Sequence, residues 1–199
     1  MIDGAGGFLR AAEHSPAAQA LFDDDIAELG YVMNASRLWA HEPHIVTGLF
    51  GLIMDTAAAH GLDLRERGIL VAACASALGD AYCALMWGGR LARAADPDIA
   101  AAVLVGDDSL LTDSERVLAR WARKVARDPN GTVAADVQEL RDAGFDDARI
   151  FGITVFVALR VAFSTVNDAL GARPDAQLRT ALPAAVVDAV TFGRPVAEA

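Results

Sequence analysis

Apolar residues recur along the chain at intervals of three and four, and no stretch alternates with period two between turn residues, so the pattern predicts an all-α protein without a sheet. Pro43 suits a first helical turn, and Ile45, Val46, Leu49, Phe50, Ile53, Met54 and Ala57 form one stripe that stops before Gly61. Asp63 with Glu66 three residues on is a capping box, opening a helix that runs through Ile69 and Leu70 to Leu78. Gly79-Asp80 then breaks the pattern, and Asp80 caps a fresh helix bearing Cys83, Leu85, Met86, Trp87 and Leu91. After a short helix from about Ile99 to Val105, Thr112 and Glu115 repeat the capping box ahead of Val117, Leu118, Trp121 and Val125. Asp128-Pro129-Asn130-Gly131 ends that helix. Another covers roughly 133–143 and stops at Gly144, and a long one, about 37 Å, runs from about 146 to 170 and closes at Gly171.

The matched starts at Leu62-Asp63-Leu64-Arg65-Glu66-Arg67 and Leu111-Thr112-Asp113-Ser114-Glu115-Arg116 carry a faint internal echo, the mark of a possible duplicated helical unit. The chain of 199 residues is read as one domain: an N-terminal arm over 1–24, a helical core over 25–172, and a C-terminal segment over 173–199. Within that last segment, 174–183 is a linker and 184–190 a short helix that docks on a neighbour.

Composition narrows the function. Hydrophobic residues make up 54%, yet no eighteen-residue run is free of charge, which excludes a spanning helix and sends the excess apolar surface to a subunit interface. A homo-oligomer is expected. Net charge is −10, a surface that repels phosphate backbones and anionic headgroups, so neither nucleic acid nor membrane is an expected partner. Residues 1–10 place Asp3 where a signal peptide carries positive charge, and a cytoplasmic location follows. Two cysteines, Cys74 and Cys83, make no disulfide framework and supply too few soft ligands for a structural zinc. His41 and His44 flank Pro43 without a carboxylate cluster, so no metal site is assigned and no cofactor is implied.

The long last helix is apolar on most sides, through Phe151, Ile153, Val155, Phe156, Leu159, Val161, Phe163 and Val166, and is expected to be central and buried. Arg160, Ser164, Asn167 and Asp168 nevertheless line up at i, i+4, i+7 and i+8 as one polar stripe. A buried arginine there needs a partner: Asp168, a neighbouring subunit, or the carboxylate of a bound ligand.

Leu64-Arg65-Glu66-Arg67, followed by Ala77-Leu78-Gly79-Asp80-Ala81-Tyr82-Cys83, resembles the core of the carboxymuconolactone decarboxylase and alkylhydroperoxidase-D-like (AhpD-like) family. The resemblance extends through Leu110-Leu111-Thr112-Asp113-Ser114-Glu115-Arg116, the Glu-Leu-Arg-Asp-Ala-Gly-Phe ending at Phe145, and Asn167-Asp168-Ala169-Leu170-Gly171, which are similar to the peroxidase-related branch. It covers residues 25–172 and implies a helical bundle that assembles as a homo-oligomer. The peroxidase branch also implies a glutamate, a C-x-x-C pair and a histidine four residues after the second Cys. By this resemblance Gly68 stands in the glutamate's place, Asp80 replaces the first Cys, Cys83 is the second, and Trp87 replaces the histidine.

Each departure removes a role: proton relay, resolving thiol and acid–base imidazole. A thiolate at Cys83, in the first turn of its helix, gains about 0.3–1 kcal/mol from the dipole. An Asp80 carboxylate about 4 Å away opposes it by roughly 4 kcal/mol at an effective dielectric near 20, so the thiol stays neutral near pH 7. Cys74 is nine residues away; along one helix that is about 180° of rotation and roughly 13.5 Å of rise, out of reach for a resolving partner.

The reading is a divergent AhpD-like protein without the two-cysteine mechanism, with a pocket for a small organic ligand. Cys83, Asp80 and Glu66 are its candidate reactive groups, Asp80 or Glu66 as acid–base group, with Tyr82 a hydrogen-bond donor, Trp87 an apolar wall and Arg160 a ligand contact. The alternatives are a one-cysteine hydroperoxide reductase using Cys83 and a non-catalytic oligomeric binding protein.

Overall fold

The capping chemistry forms as read in the computed structural model, which describes residues 7–198. Asp63 and Thr112 each accept the backbone N–H of the glutamate three residues on, at the starts of α4 (Leu64–Leu78) and α7 (Asp113–Arg127), and each glutamate reaches back to the cap. α3 (Pro43–Ala59), α5 (Ala81–Ala94), α6 (Pro97–Val105), α8 (Ala134–Asp142) and α9 (Asp147–Ala169) fill the other expected positions. No strand occurs among the described residues.

Three expectations need correction. The N-terminal arm contains α1 (Pro16–Leu29), capped by Ser15, and is followed by α2 (Asn34–Trp39). Only Ala18 and Asp25 of α1 are buried, so it carries too faint an apolar stripe to be read from periodicity. The 174–183 linker includes a turn of helix, α10 (Leu178–Ala181). The last helix, α11 (Ala184–Ala189), docks on its own chain: Val186 is fully buried, and a Cβ on Gly88 would stand 2.8 Å from both Val186 and Leu104.

Gly79, at φ 75°, turns the chain back so that α4 and α5 form a helical hairpin. Gly68 faces Leu91 across it, with its missing Cβ 3.1 Å from the leucine, which leaves no room for a larger side chain. The two cysteines lie on the two arms of this hairpin, Cys74 on α4 and Cys83 on α5, and both are buried free thiols.

α9 packs against α3, α4 and α7 and buries Ile153, Phe156, Val157 and Phe163. It is not buried all round, since Phe151 is 69% exposed. By length and composition α9 could cross a bilayer, because charges are sparse along it; half of its most apolar stretch is instead buried inside the fold.

The C-terminal segment closes over the α4–α5 turn. Gly193 sits at φ 70°, where a Cβ would lie 2.3 Å from the Gly79 carbonyl oxygen and 2.9 Å from the Ala81 nitrogen. Gly193→Ala is expected to cost about 1–2 kcal/mol from the left-handed backbone alone. Urea denaturation checks this, and the proteolytic susceptibility of the C-terminal segment should rise with it.

Candidate functional site

Asp80 is the N-cap of α5, and its Oδ1 accepts the Cys83 N–H at 2.9 Å. This places the Cys83 side chain in the first helical turn, on the inner face of α5, with 1% exposure. Asp80 is itself fully enclosed, and its Oδ2 has no hydrogen-bond partner. Burial pushes the Cys83 thiol well above its ordinary range and the Asp80 charge pushes it further, while Arg160 and then the Ser164 hydroxyl pull weakly the other way. The neutral thiol expected from the sequence follows, with burial rather than Asp80 as the first cause. Cys74 is pushed up to about 12, again chiefly by burial.

Across from α5, α9 presents its polar stripe inward. Arg160 is 2% exposed, and its Nη2 donates to the Cys83 Sγ at 3.5 Å. It has no ion pair with Asp168 or any other described carboxylate, and its Nε is unpartnered. Its guanidinium carbon lies 5.2 Å from the Phe163 ring centre, 5.3 Å from Trp87 and 5.9 Å from Phe50, so aromatic faces take the place of a counter-ion. Asn167 is spent on structure, accepting from the Trp39 indole N–H at 2.8 Å.

These groups wall a chamber of about 70 Å³ that holds Cys83, Trp87 and Arg160. Met33, Ala35, Phe50, Arg90 and Phe163 also line a wider cavity of about 360 Å³ beside it, so the two adjoin. A separate hollow on α7 gathers Arg120, Arg123, Lys124 and Arg127, but the first three are paired with Glu139, Asp108 and Asp136.

Of the expected site residues, Cys83, Asp80, Trp87 and Arg160 therefore converge. Tyr82 lines the chamber, but its hydroxyl donates to Asp175 Oδ2 at 2.6 Å and accepts the Ala35 N–H, so it is not free to donate to a ligand. Glu66 does not reach the chamber: one oxygen completes the α4 capping box and the other pairs with Arg149 at 2.6 Å. His41 is exposed on the surface, its ring nitrogen against the Arg10 carbonyl. Phe50 and Phe163, read from periodicity as core residues, and Arg90 are chamber residues not expected at the site; Arg90 lies one turn beyond Trp87 on α5, the one local signal that could have flagged it.

Asp168 lies at the far end of the stripe. Burial and then the Asp80 charge raise its carboxyl to about 7, against a smaller pull from Arg194. Between about pH 4 and 7 the folded state thus holds a proton that the unfolded chain has released, so this group removes stability as pH rises. Asp168→Asn is expected to be less steeply destabilised than the parent across that window, measured by urea denaturation at successive pH values.

No protein-family model and no curated protein matches the chain. Among solved structures it is similar to a peroxidase-related protein from Silicibacter sp. TM1040, at 21% identity and TM-score 0.78, covering 90% of this chain and 98% of that one. It is likewise similar to an AhpD-core peroxidase-related protein from Ralstonia eutropha JMP134, at 22% identity and TM-score 0.75, covering 86% and 94%. A third similar structure is the debrominase Bmp8, solved as a Cys-to-Ala variant with 2,3,4-tribromopyrrole, at 17% identity and TM-score 0.72, covering 92% and 97%.

Proposed function

We propose, from the AhpD-like fold the chain adopts, that it binds and transforms a small organic molecule in the chamber at Cys83, without a two-cysteine peroxidase mechanism. The observation that carries this is the meeting of a buried thiol and a buried guanidinium at 3.5 Å on one wall of an aromatic chamber, with the Asp80 carboxylate behind the sulfur. Cys83 is the reacting group. Its proton passes to the open Asp80 oxygen, and Arg160 steadies the negative charge left on the sulfur. Trp87, Phe50 and Phe163 form the walls that hold a flat substrate.

A debrominase among the similar folds supports small-molecule chemistry as the kind to test first. The protein is mixed with dithiothreitol and either 2,3,4-tribromopyrrole or tert-butyl hydroperoxide, and both consumption rates are compared with those of Cys83→Ala and Cys74→Ala. Conversion of the ring compound that is lost in Cys83→Ala and kept in Cys74→Ala supports the proposal. Peroxide consumption dependent on Cys83, with the ring compound untouched, replaces it with the one-cysteine reductase. No Cys83-dependent conversion of either compound leaves binding without catalysis and overturns the transforming role.

A further inference from the structure

We propose that the chamber receives a planar organic monoanion, its negative group on Arg160 and its ring among Phe50, Trp87 and Phe163. This rests on the reading of the chamber as a small-molecule site and adds the ligand's charge and shape.

A guanidinium taken out of water is costly unless paired and hydrogen-bonded. Arg160 is 2% exposed, its Nε has no acceptor, and its one polar side-chain contact is a sulfur at 3.5 Å. The protein therefore holds a buried cation, without a carboxylate partner, in the wall of a cavity, and a planar guanidinium is the group that carboxylate recognition uses.

Arg90 strengthens the case independently. It lines the same chamber, while its carboxylate partner, Glu28, lies 3.3 Å away and is largely exposed. Burial pulls Arg90 down from the ordinary arginine range, and Arg160 is among the cations that lower it further. Two guanidiniums thus face one small space inside a chain of net charge −10. An anion placed there relieves both.

The surroundings set the ligand's form. The rings stand 5.2–5.9 Å from the Arg160 guanidinium carbon, and Phe163 is stacked on Trp39 at 5.6 Å, so a flat ring continues an existing aromatic arrangement. The wider cavity beyond is flanked by Asp24, Asp25 and Glu28. A second negative charge on the ligand's outer end would meet these carboxylates, which selects a monoanion with an uncharged body.

The test titrates the whole protein with benzoate, its neutral analogue benzamide, and the dianion terephthalate, whose second carboxylate lies at the far end of the ring, following tryptophan fluorescence and the thermal unfolding temperature. Benzoate is expected to bind saturably and raise the unfolding temperature, with benzamide and terephthalate each at least about tenfold weaker. Arg160→Met should bind benzoate about tenfold to a hundredfold more weakly. Without ligand it should unfold no earlier than the parent, because an uncompensated buried charge has gone. Arg160→Lys keeps the charge and should keep the preference for benzoate over benzamide. Benzoate binding is read without turnover, so a failure of thiol chemistry and a failure of anion recognition are read separately. The proposal is overturned if benzoate does not bind or binds no tighter than benzamide, if terephthalate binds as tightly as benzoate, if Arg160→Met binds benzoate like the parent, or if Arg160→Lys loses the preference.

Discussion

Asp80→Asn alkylates at Cys83 about tenfold faster than the parent at the same pH. Asparagine is as good an N-cap as aspartate, so its side-chain oxygen still accepts the Cys83 N–H and α5 keeps its start. What disappears is the carboxylate charge, the second cause after burial of the raised thiol. Two unit charges about 4 Å apart repel by roughly 4 kcal/mol at an effective dielectric of 20; a third of that, after relaxation, is about tenfold in thiolate population. Iodoacetamide modification followed by mass spectrometry reads the rate at Cys83 itself. The Asp168 carboxyl should fall in the same variant, because Asp80 is the second cause of its rise. An unchanged alkylation rate would mean that Asp80 acts only as a cap.

Asp175→Ala is the substitution expected to cost most stability, about 2–3 kcal/mol. Asp175 is 2% exposed and accepts the Asn34 N–H at 2.7 Å and the Tyr82 hydroxyl at 2.6 Å, joining the C-terminal segment to α2 and α5. Removing it leaves one buried and one half-buried donor without partners, at about 1–3 kcal/mol each. Burial already raises the Asp175 carboxyl, so the loss falls toward the lower part of that sum. Tyr82→Phe should cost about 1–2 kcal/mol, and the double variant less than the two singles added, because both remove the same bond. Urea denaturation of the three variants closes the cycle. Additive losses would show that the hydroxyl and the carboxylate do not act as a pair.

The helix starts and stops were legible because their chemistry is local. Asp63 with Glu66, Thr112 with Glu115, and Asp80 with Cys83 each satisfy backbone donors within three residues, so neighbours in sequence settle them. The polar stripe on α9 was legible for the same reason, since helical spacing alone puts Arg160, Ser164 and Asn167 on one face.

What could not be read was which groups meet across elements. Asp175 engages Tyr82 from 93 residues away and Asn167 engages Trp39 from 128, so the hydroxyl expected to greet a ligand was already committed. Glu66 was read as able to turn inward, but Arg149, 83 residues on, holds it at the surface of the α4 start. The separation of the two cysteines was reckoned along a single rod, whereas the Gly79-Asp80 break puts Cys74 on α4 and Cys83 on α5. A left-handed glycine followed by a fresh N-cap reverses direction, and reversal brings residues together that a continuous helix would separate.

The most direct test is an ultraviolet titration of the Cys83 thiolate in a Cys74→Ala background. A lone buried sulfur beside Asp80 should remain protonated up to and beyond about pH 9, the upper part of the ordinary thiol range. Ionisation of Cys83 near or below neutrality would contradict the account, since the thiol would then be a pre-formed nucleophile with no need of Asp80 to take its proton.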